Sequence, residues 1–338
     1  MIDEEATMSD VMRAVVLSGP GPVENLRLAE LPLPEPGPGW VRIRVEAFGI
    51  NRSELHTRLG LAQGVTFPRV PGIEAAGVVD AAPPGSALEP GRQVVAMMGG
   101  MGRTFDGGYA EYTCVPERQV IPIATDLPWE VVGALPEMLQ TANGSLTTGL
   151  DLRPGQTLLV RGGTSSVGTA AAALARDMGA TVLATTRRPE RFEALRAAGV
   201  DHPIEDTGRI AEAVRAIVPG GVDAALELVG TPTLRDTLAA TAVHGTVCFT
   251  GMLSNEWTVE DFYPIEYIPT GVRLTAYGGD ASDLPPQVLR RTLDAVAAGR
   301  LSFPVHRVYD GLEEVRRAHA DMEADAAVGK LVVRVRHR

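Results

Sequence analysis

The chain has 338 residues, 45% hydrophobic and 22% charged, the balance of a soluble globular protein with one large or two ordinary domains. Its formal net charge of −11 disfavours a nucleic-acid partner, and no apolar run reaches the ~18 residues that span a bilayer. Lys330 is the only lysine among 31 basic residues, an arginine bias typical of a GC-rich genome. It excludes a Walker-type phosphate loop, because Leu331 follows it, and leaves one residue for Schiff-base chemistry.

The acidic N-terminal stretch, residues 1–12, lacks the apolar core of a secretion signal, so a cytoplasmic location is expected. From Arg13 to residue 124 the chain reads as short strands broken by Gly and Pro. These are Arg13–Leu17, Val41–Phe48, Ala75–Val79, Gln93–Met97 and Tyr109–Val115. Leu31–Gly39, with four prolines, reads as an extended connector. From about residue 125 the texture changes to alternation. Strands are expected at Thr157–Arg161, Thr181–Thr185, Val222–Leu228, Thr246–Thr250 and Arg273–Tyr277. Helices are expected at Val167–Met178, Pro189–Ala198, Ile210–Val218 and Thr233–Ala242, with Gly179 and Gly199 closing two of them. This order implies a doubly wound parallel sheet with helices on both faces. A helix at Gln287–Ala298, a strand at Val305–Tyr309, a helix at Leu312–Glu323 and a strand at Leu331–Val335 return to the first texture. The α/β module, residues 125–279, therefore reads as inserted in a mainly β domain made of residues 1–124 and 280–338.

The strand Thr157–Arg161 runs into Gly162-Gly163-Thr164-Ser165-Ser166-Val167-Gly168, which opens an Ala-rich helix. Such a loop offers a tight turn at Gly162, close helix–strand packing at Gly168 and unpaired N–H groups at a helix N-terminus for a pyrophosphate. Serine stands where the dinucleotide fingerprint has its central glycine; Ser165 is small, and its hydroxyl can donate to the phosphate. The second strand ends Thr185-Thr186-Arg187-Arg188-Pro189-Glu190-Arg191, without the carboxylate that would bind a ribose 2′-hydroxyl. Hydroxyls from Thr185 and Thr186 and guanidinium groups from Arg187 and Arg191 suit a 2′-phosphate, which favours NADPH. The alternative for these arginines is a solvated helix start.

Four motifs now stand in order along the chain: Gly49-Ile50-Asn51-Arg52-Ser53-Glu54, Pro71-Gly72-Ile73-Glu74-Ala75-Ala76-Gly77, Gly107-Gly108-Tyr109-Ala110-Glu111-Tyr112 and Gly162–Gly168. With them the chain resembles the zinc-free quinone oxidoreductase branch of the medium-chain dehydrogenase/reductase superfamily. The resemblance implies a Rossmann domain inserted in a GroES-like domain, an active site in the cleft between them, and a homodimer paired along the edge strand 273–277. It also implies that Asn51 and His56 are catalytic candidates, that Thr141 lies near the nicotinamide, and that Val229 and Gly251 border the cofactor riboses. Thr141 could equally be a helix hydroxyl bonded to its own backbone. Zinc-dependent members carry Cys at the place of Asn51 and His at that of Ile73, and the structural zinc lobe is absent, so no metal is expected.

What remains is hydride transfer to a quinone or an α,β-unsaturated carbonyl, whose developing oxyanion needs a hydrogen-bond donor or a proton. His56 stands where quinone oxidoreductases often have Tyr; it could serve as that donor or face solvent at a helix edge. Arg58 reads as surface, the alternative being a partner for an anionic substrate tail. Lys330, in Gly329-Lys330-Leu331, matches a Gly-Lys that the resemblance places before the last strand. It reads as a solvated turn lysine, the alternative being an approach to the cofactor. The loops Met97–Asp106 and Ser254–Tyr267 are expected to shape the pocket. Two other readings stay open: an enoyl-thioester reductase of polyketide or fatty-acid type, and a non-enzymatic NADPH-binding protein.

Overall fold

The computed structural model describes residues 11–338, so the acidic lead-in before Val11 lies outside the described residues. The chain opens with an antiparallel ribbon of β1 (Val11–Leu17) and β2 (Leu26–Pro32). It then enters β3 (Trp40–Ile50), which organises the first sheet. Val41, Ile43 and Val45 fill one face of β3 while Arg42 and Arg44 take the other; from Ala47 onward every residue is buried. A short helix, α1 (Arg52–Arg58), follows β3 after the single residue Asn51. Then come β4 (Glu74–Ala81), β5 (Gln93–Met97), β6 (Tyr112–Pro116) and β7 (Val120–Pro122).

Helices α2 (Trp129–Val132) and α3 (Pro136–Gly144) lead into the second sheet. There β8 (Thr157–Arg161), α4 (Ser166–Asp177), β9 (Thr181–Thr186), α5 (Phe192–Ala197) and β10 (His202–Glu205) run outward in one direction. The chain then returns through α6 (Ala211–Ile217) to β11 (Val222–Glu227), α7 (Thr231–Ala240), β12 (Thr241–Phe249), α8 (Pro264–Tyr267) and β13 (Arg273–Ala276). All neighbours in this six-stranded sheet are parallel, in the order β10-β9-β8-β11-β12-β13. The order reverses between β8 and β11, and the crevice at the carboxyl ends of strands at such a switch point is the usual ligand site. Finally α9 (Pro286–Ala297), β14 (Val305–Asp310), α10 (Val315–Glu323) and β15 (Lys330–Arg334) return to the first sheet, whose order is β14-β15-β3-β4-β5-β7 with β6 also on β3. This is the doubly wound α/β module carried between two parts of a mainly β domain, as expected.

One apolar core joins the two sheets. It runs from Ala76 and Met97 of the first through Leu135, Met138 and Leu139 of α3 to Leu158 and Val160 of the second. Differences from the expected elements are local. The prolines of Leu31–Gly39 do not prevent β2, because Pro32 sits at the end of a two-stranded ribbon. The strand expected from Tyr109 begins at Tyr112; the Tyr109 carbonyl instead accepts a hydrogen bond from Val15 N–H across the molecule.

Candidate active site

Between the two sheets lies a cavity of about 400 Å³. Its walls come from the β3–α1 junction, α3, the β8–α4 loop, the segment after β12 and the turn after α10. The β3–α1 junction is held from below. Asn51 is extended (φ −125°, ψ 155°) and ends the strand as the N-cap of α1. The buried Glu54 carboxylate reaches back to accept from Asn51 N–H at 2.9 Å and from Ile73 N–H at 2.8 Å. Burial, with Glu74 adding to it, pushes Glu54 up to about 7.

Beside Asn51 sits Lys330, contrary to its reading as a solvated turn residue: it is 1% exposed. The physical reason is strand pairing. β15 runs antiparallel to β3 with Leu331 opposite Ile50, which puts the first residue of β15 beneath the start of α1. Lys330 Nζ lies 2.5 Å from Asn51 Oδ1, 2.8 Å from Glu74 Oε1 and 3.3 Å from Glu137 Oε2, so all three ammonium donors have acceptors. Asn51 donates its own amide to Glu74 Oε1 at 2.9 Å, and Glu74 Oε2 accepts from Glu137 N–H at 2.8 Å. Burial alone would lower Lys330; Glu74 and Glu137 outweigh it and hold the ammonium above its ordinary value. Glu137 also accepts from Thr141 Oγ1 at 3.0 Å, so the network reaches the cavity wall. Thr141 thus bonds a carboxylate rather than its own backbone.

His56 lies one turn further along α1, buried and lining the cavity. Its Nε2 is 3.0 Å from Asn255 Oδ1, an acceptor, which places a proton on Nε2. Its ring meets Trp257 edge-on at 4.9 Å. Burial pushes His56 below its ordinary value, and the nearby Arg52 and Arg103 add to this against the Asn255 bond. The solvent-facing alternative for His56 is therefore set aside: the segment after β12 covers it. Arg58 is likewise not surface. It is 1% exposed, donates to Gly21 O at 2.8 Å and pairs with Glu323 at 2.6 Å, because the chain at 20–22 and α10 fold over α1.

Across the cavity, Gly162 has a φ of +87°, and a Cβ on Gly168 would lie 2.5 Å from Gly162 O. The turn therefore needs glycine at both ends. Ser165 caps α4: its hydroxyl accepts from Gly168 N–H at 3.0 Å and donates to Gly162 O at 2.8 Å. It is thus committed to the loop and not free for a phosphate. The Ser166 and Val167 N–H groups, at the first two positions of α4, have no intrahelical acceptor, and both residues line the cavity. Behind the loop, Thr185 Oγ1 accepts from Gly162 N–H at 3.1 Å and donates to Asp206 Oδ2 at 3.0 Å. Burial pushes Asp206 up, but a bidentate grip from Arg161 at 3.0 and 2.9 Å holds it below the ordinary carboxylate value. Thr185 is thus a strut for the loop, its hydroxyl committed to Gly162 and Asp206.

The comparisons with known proteins agree with this architecture. An alcohol dehydrogenase GroES-like domain matches residues 37–125, and the zinc-binding dehydrogenase family matches residues 166–291. The chain is 30% identical to a 2-haloacrylate reductase of a Burkholderia species, over 96% of this chain and 98% of that one. It belongs to the medium-chain dehydrogenase/reductase superfamily, in the quinone oxidoreductase branch. Among other members, a probable quinone oxidoreductase of Schizosaccharomyces pombe is 27% identical, over 96% of this chain and 97% of that one. A mycobacterial protein solved in complex with NADPH superposes with a TM-score of 0.84 at 27% identity, covering 96% of this chain and 99% of its own.

In this oxidoreductase the expected site residues fall into three groups. Asn51, His56, Thr141, Thr164, Ser165, Ser166, Val167 and Gly251 line the cavity together. Gly162, Gly163, Gly168 and Thr185 form the loop and its support, and Val229 N–H is bonded to the buried Glu227 at 2.7 Å. Thr186, Arg187 and Arg191 stand at the tip of β9. There Thr186 is buried and accepts from Arg188 N–H, Arg187 pairs with Asp325, and Arg191 donates to the carbonyls of Asp325 and Ala326 at 3.0 Å. The turn 325–327 thus meets the arginines from the other sheet. Sequence reading did not single out Arg52 or Glu137 as wall residues, whereas Arg103 and Trp257 lie in the two loops expected to shape the pocket. Arg52 lay inside a quoted motif; Glu137 carried no local signal.

Proposed function

We propose that the protein is a zinc-independent, NADPH-dependent oxidoreductase that delivers a hydride to a quinone or an α,β-unsaturated carbonyl. The proposal keeps the division into 1–124 and 280–338 around 125–279, and a homodimer joined along the β13 edge. One observation carries the functional reading: a single cavity brings the N-terminus of α4 and Thr141 against Asn51 and His56. The glycine cradle at Gly162–Gly168, which a Cβ would fill, fits a pyrophosphate, and the Ser166 and Val167 N–H groups would hold it. Bound there, NADPH supplies the hydride.

The side chains supply the rest. The Lys330 ammonium stands among Asn51, Glu74 and Glu137, offsets the carboxylates buried behind the cavity wall and holds Asn51 in place. His56, neutral at pH 7, carries one N–H, which Asn255 Oδ1 accepts while Trp257 packs against the ring; the developing oxyanion would take that N–H over from Asn255. Arg187, now paired with Asp325, and Arg191, now donating to the carbonyls of 325–327, would exchange these contacts for a 2′-phosphate; Lys330 is committed to Asn51, Glu74 and Glu137.

The test is steady-state oxidation of NADPH and NADH with benzoquinone and cinnamaldehyde, after dialysis against a chelator. Turnover is expected to survive the chelator and to favour NADPH. Arg187→Ala combined with Arg191→Ala is expected to raise the NADPH Kd about 10- to 100-fold while leaving NADH nearly unchanged. Equal losses for the two cofactors would refute the phosphate assignment; loss of turnover on chelation would refute zinc independence.

A further inference from the structure

Beside the main cavity lies a second chamber of about 480 Å³. Ser53, Ile73, Met98, Arg103 and Gly279 line both spaces. Arg103, on the loop after β5, is thus shared between them. Its Nη2 donates to Ser53 Oγ at 2.5 Å and its Nη1 has no acceptor among the described residues, while Nε is buried without a partner and out of direct reach. Among the described residues no carboxylate lies within 4 Å of its guanidinium. The nearby carboxylates are already used: Glu137 by Lys330 and Thr141, and Asp280 by Ala281 N–H at 2.7 Å. Arg52 in the main cavity and Arg118 in the side chamber add further positive charge.

A half-buried guanidinium with unused donors, shared by a hydride-transfer cavity and a side chamber, is matched by an anion. We propose that Arg103 is a specificity-determining residue that holds a carboxylate of the hydride acceptor, so that the substrate class is α,β-unsaturated acids, with the rest of the molecule in the side chamber. This rests on the reading of the cleft as a hydride-transfer site. The planar guanidinium matches a carboxylate with two parallel hydrogen bonds. Pairing has a chemical consequence as well. A free carboxylate donates electron density into an adjacent C=C bond and makes it a poor hydride acceptor; the guanidinium withdraws that density.

The experiment compares cinnamate with methyl cinnamate, which keeps the acyl group and removes the charge. With NADPH, kcat/KM for cinnamate is expected to exceed that for the ester about tenfold, and Arg103→Met to lower the cinnamate value about a hundredfold while leaving the ester within about threefold. Arg103→Lys is expected to recover part of the loss, since it restores the charge without the planar fork. Binding is read separately by titrating the NADPH complex with hydrocinnamate and its methyl ester, following nicotinamide fluorescence. Tighter binding of the acid that disappears in Arg103→Met supports the site. Equal binding of acid and ester, or equal losses for both in the variant, overturns it. Arg103-dependent binding of the acid without turnover of either acceptor would support the carboxylate site and contradict the hydride-transfer reading instead.

Discussion

Lys330→Met is expected to destabilise the fold by about 3–5 kcal/mol, because it leaves Glu74 and Glu137 in the interior without their counter-charge. Methionine fills most of the volume, so the loss is electrostatic and not a cavity effect. Adding Glu74→Gln to Lys330→Met is expected to restore part of it, since one stranded charge is then gone. Chemical denaturation at neutral pH measures both; a single-variant loss below about 1 kcal/mol would mean that the network contributes little. The wild-type protein carries a matching pH signature. Because Lys330 is held above its ordinary 10.5 in the fold, its stabilisation is complete below pH 10.5 and is lost as pH rises through the raised value. The Lys330→Met variant lacks this alkaline limb.

His56→Phe is expected to lower kcat about a hundredfold, the low end of what a positioned acid–base group contributes, with KM for NADPH little changed. His56→Gln, which keeps an N–H donor, is expected to retain more activity than the phenylalanine variant. The direction of the pKa shift sharpens this. Burial holds His56 below its ordinary 6.5, so at neutral pH the ring is neutral and its single N–H must pass from Asn255 to the substrate oxygen. Any fall in rate that reports its protonation must therefore come below pH 6.5. Stopped-flow and steady-state rates of the two variants across pH 5–9 decide the matter: equal activity of the phenylalanine and glutamine variants would remove His56 from the chemistry.

Local features were legible in the sequence. Gln93–Met97 and Thr157–Arg161 have the expected bounds because each is a short β-branched or apolar run closed by glycine or a turn. The Gly162–Gly168 loop was legible for the same reason: the constraint and the residues that meet it are neighbours in the chain. Lys330 was not. Its burial depends on β15 pairing with β3, and its partner Asn51 lies 279 positions away. The same holds for Arg58, covered by α10, and for His56, whose partners Asn255 and Trp257 come from the other sheet. Thr185 shows a subtler limit: its position at the strand tip was correct, but only the proximity of Asp206 turns its hydroxyl inward.

Deuterium tracing with cinnamaldehyde tests the central claim, conjugate hydride transfer in the cleft, most directly. NADPH labelled at its hydride-donating carbon, one face at a time, is turned over with cinnamaldehyde, and the product is read by NMR. The account predicts hydrocinnamaldehyde with deuterium on the β-carbon from one labelled face only. Cinnamyl alcohol with deuterium on the carbinol carbon, or NADPH oxidation with no deuterium in the organic product, would contradict it.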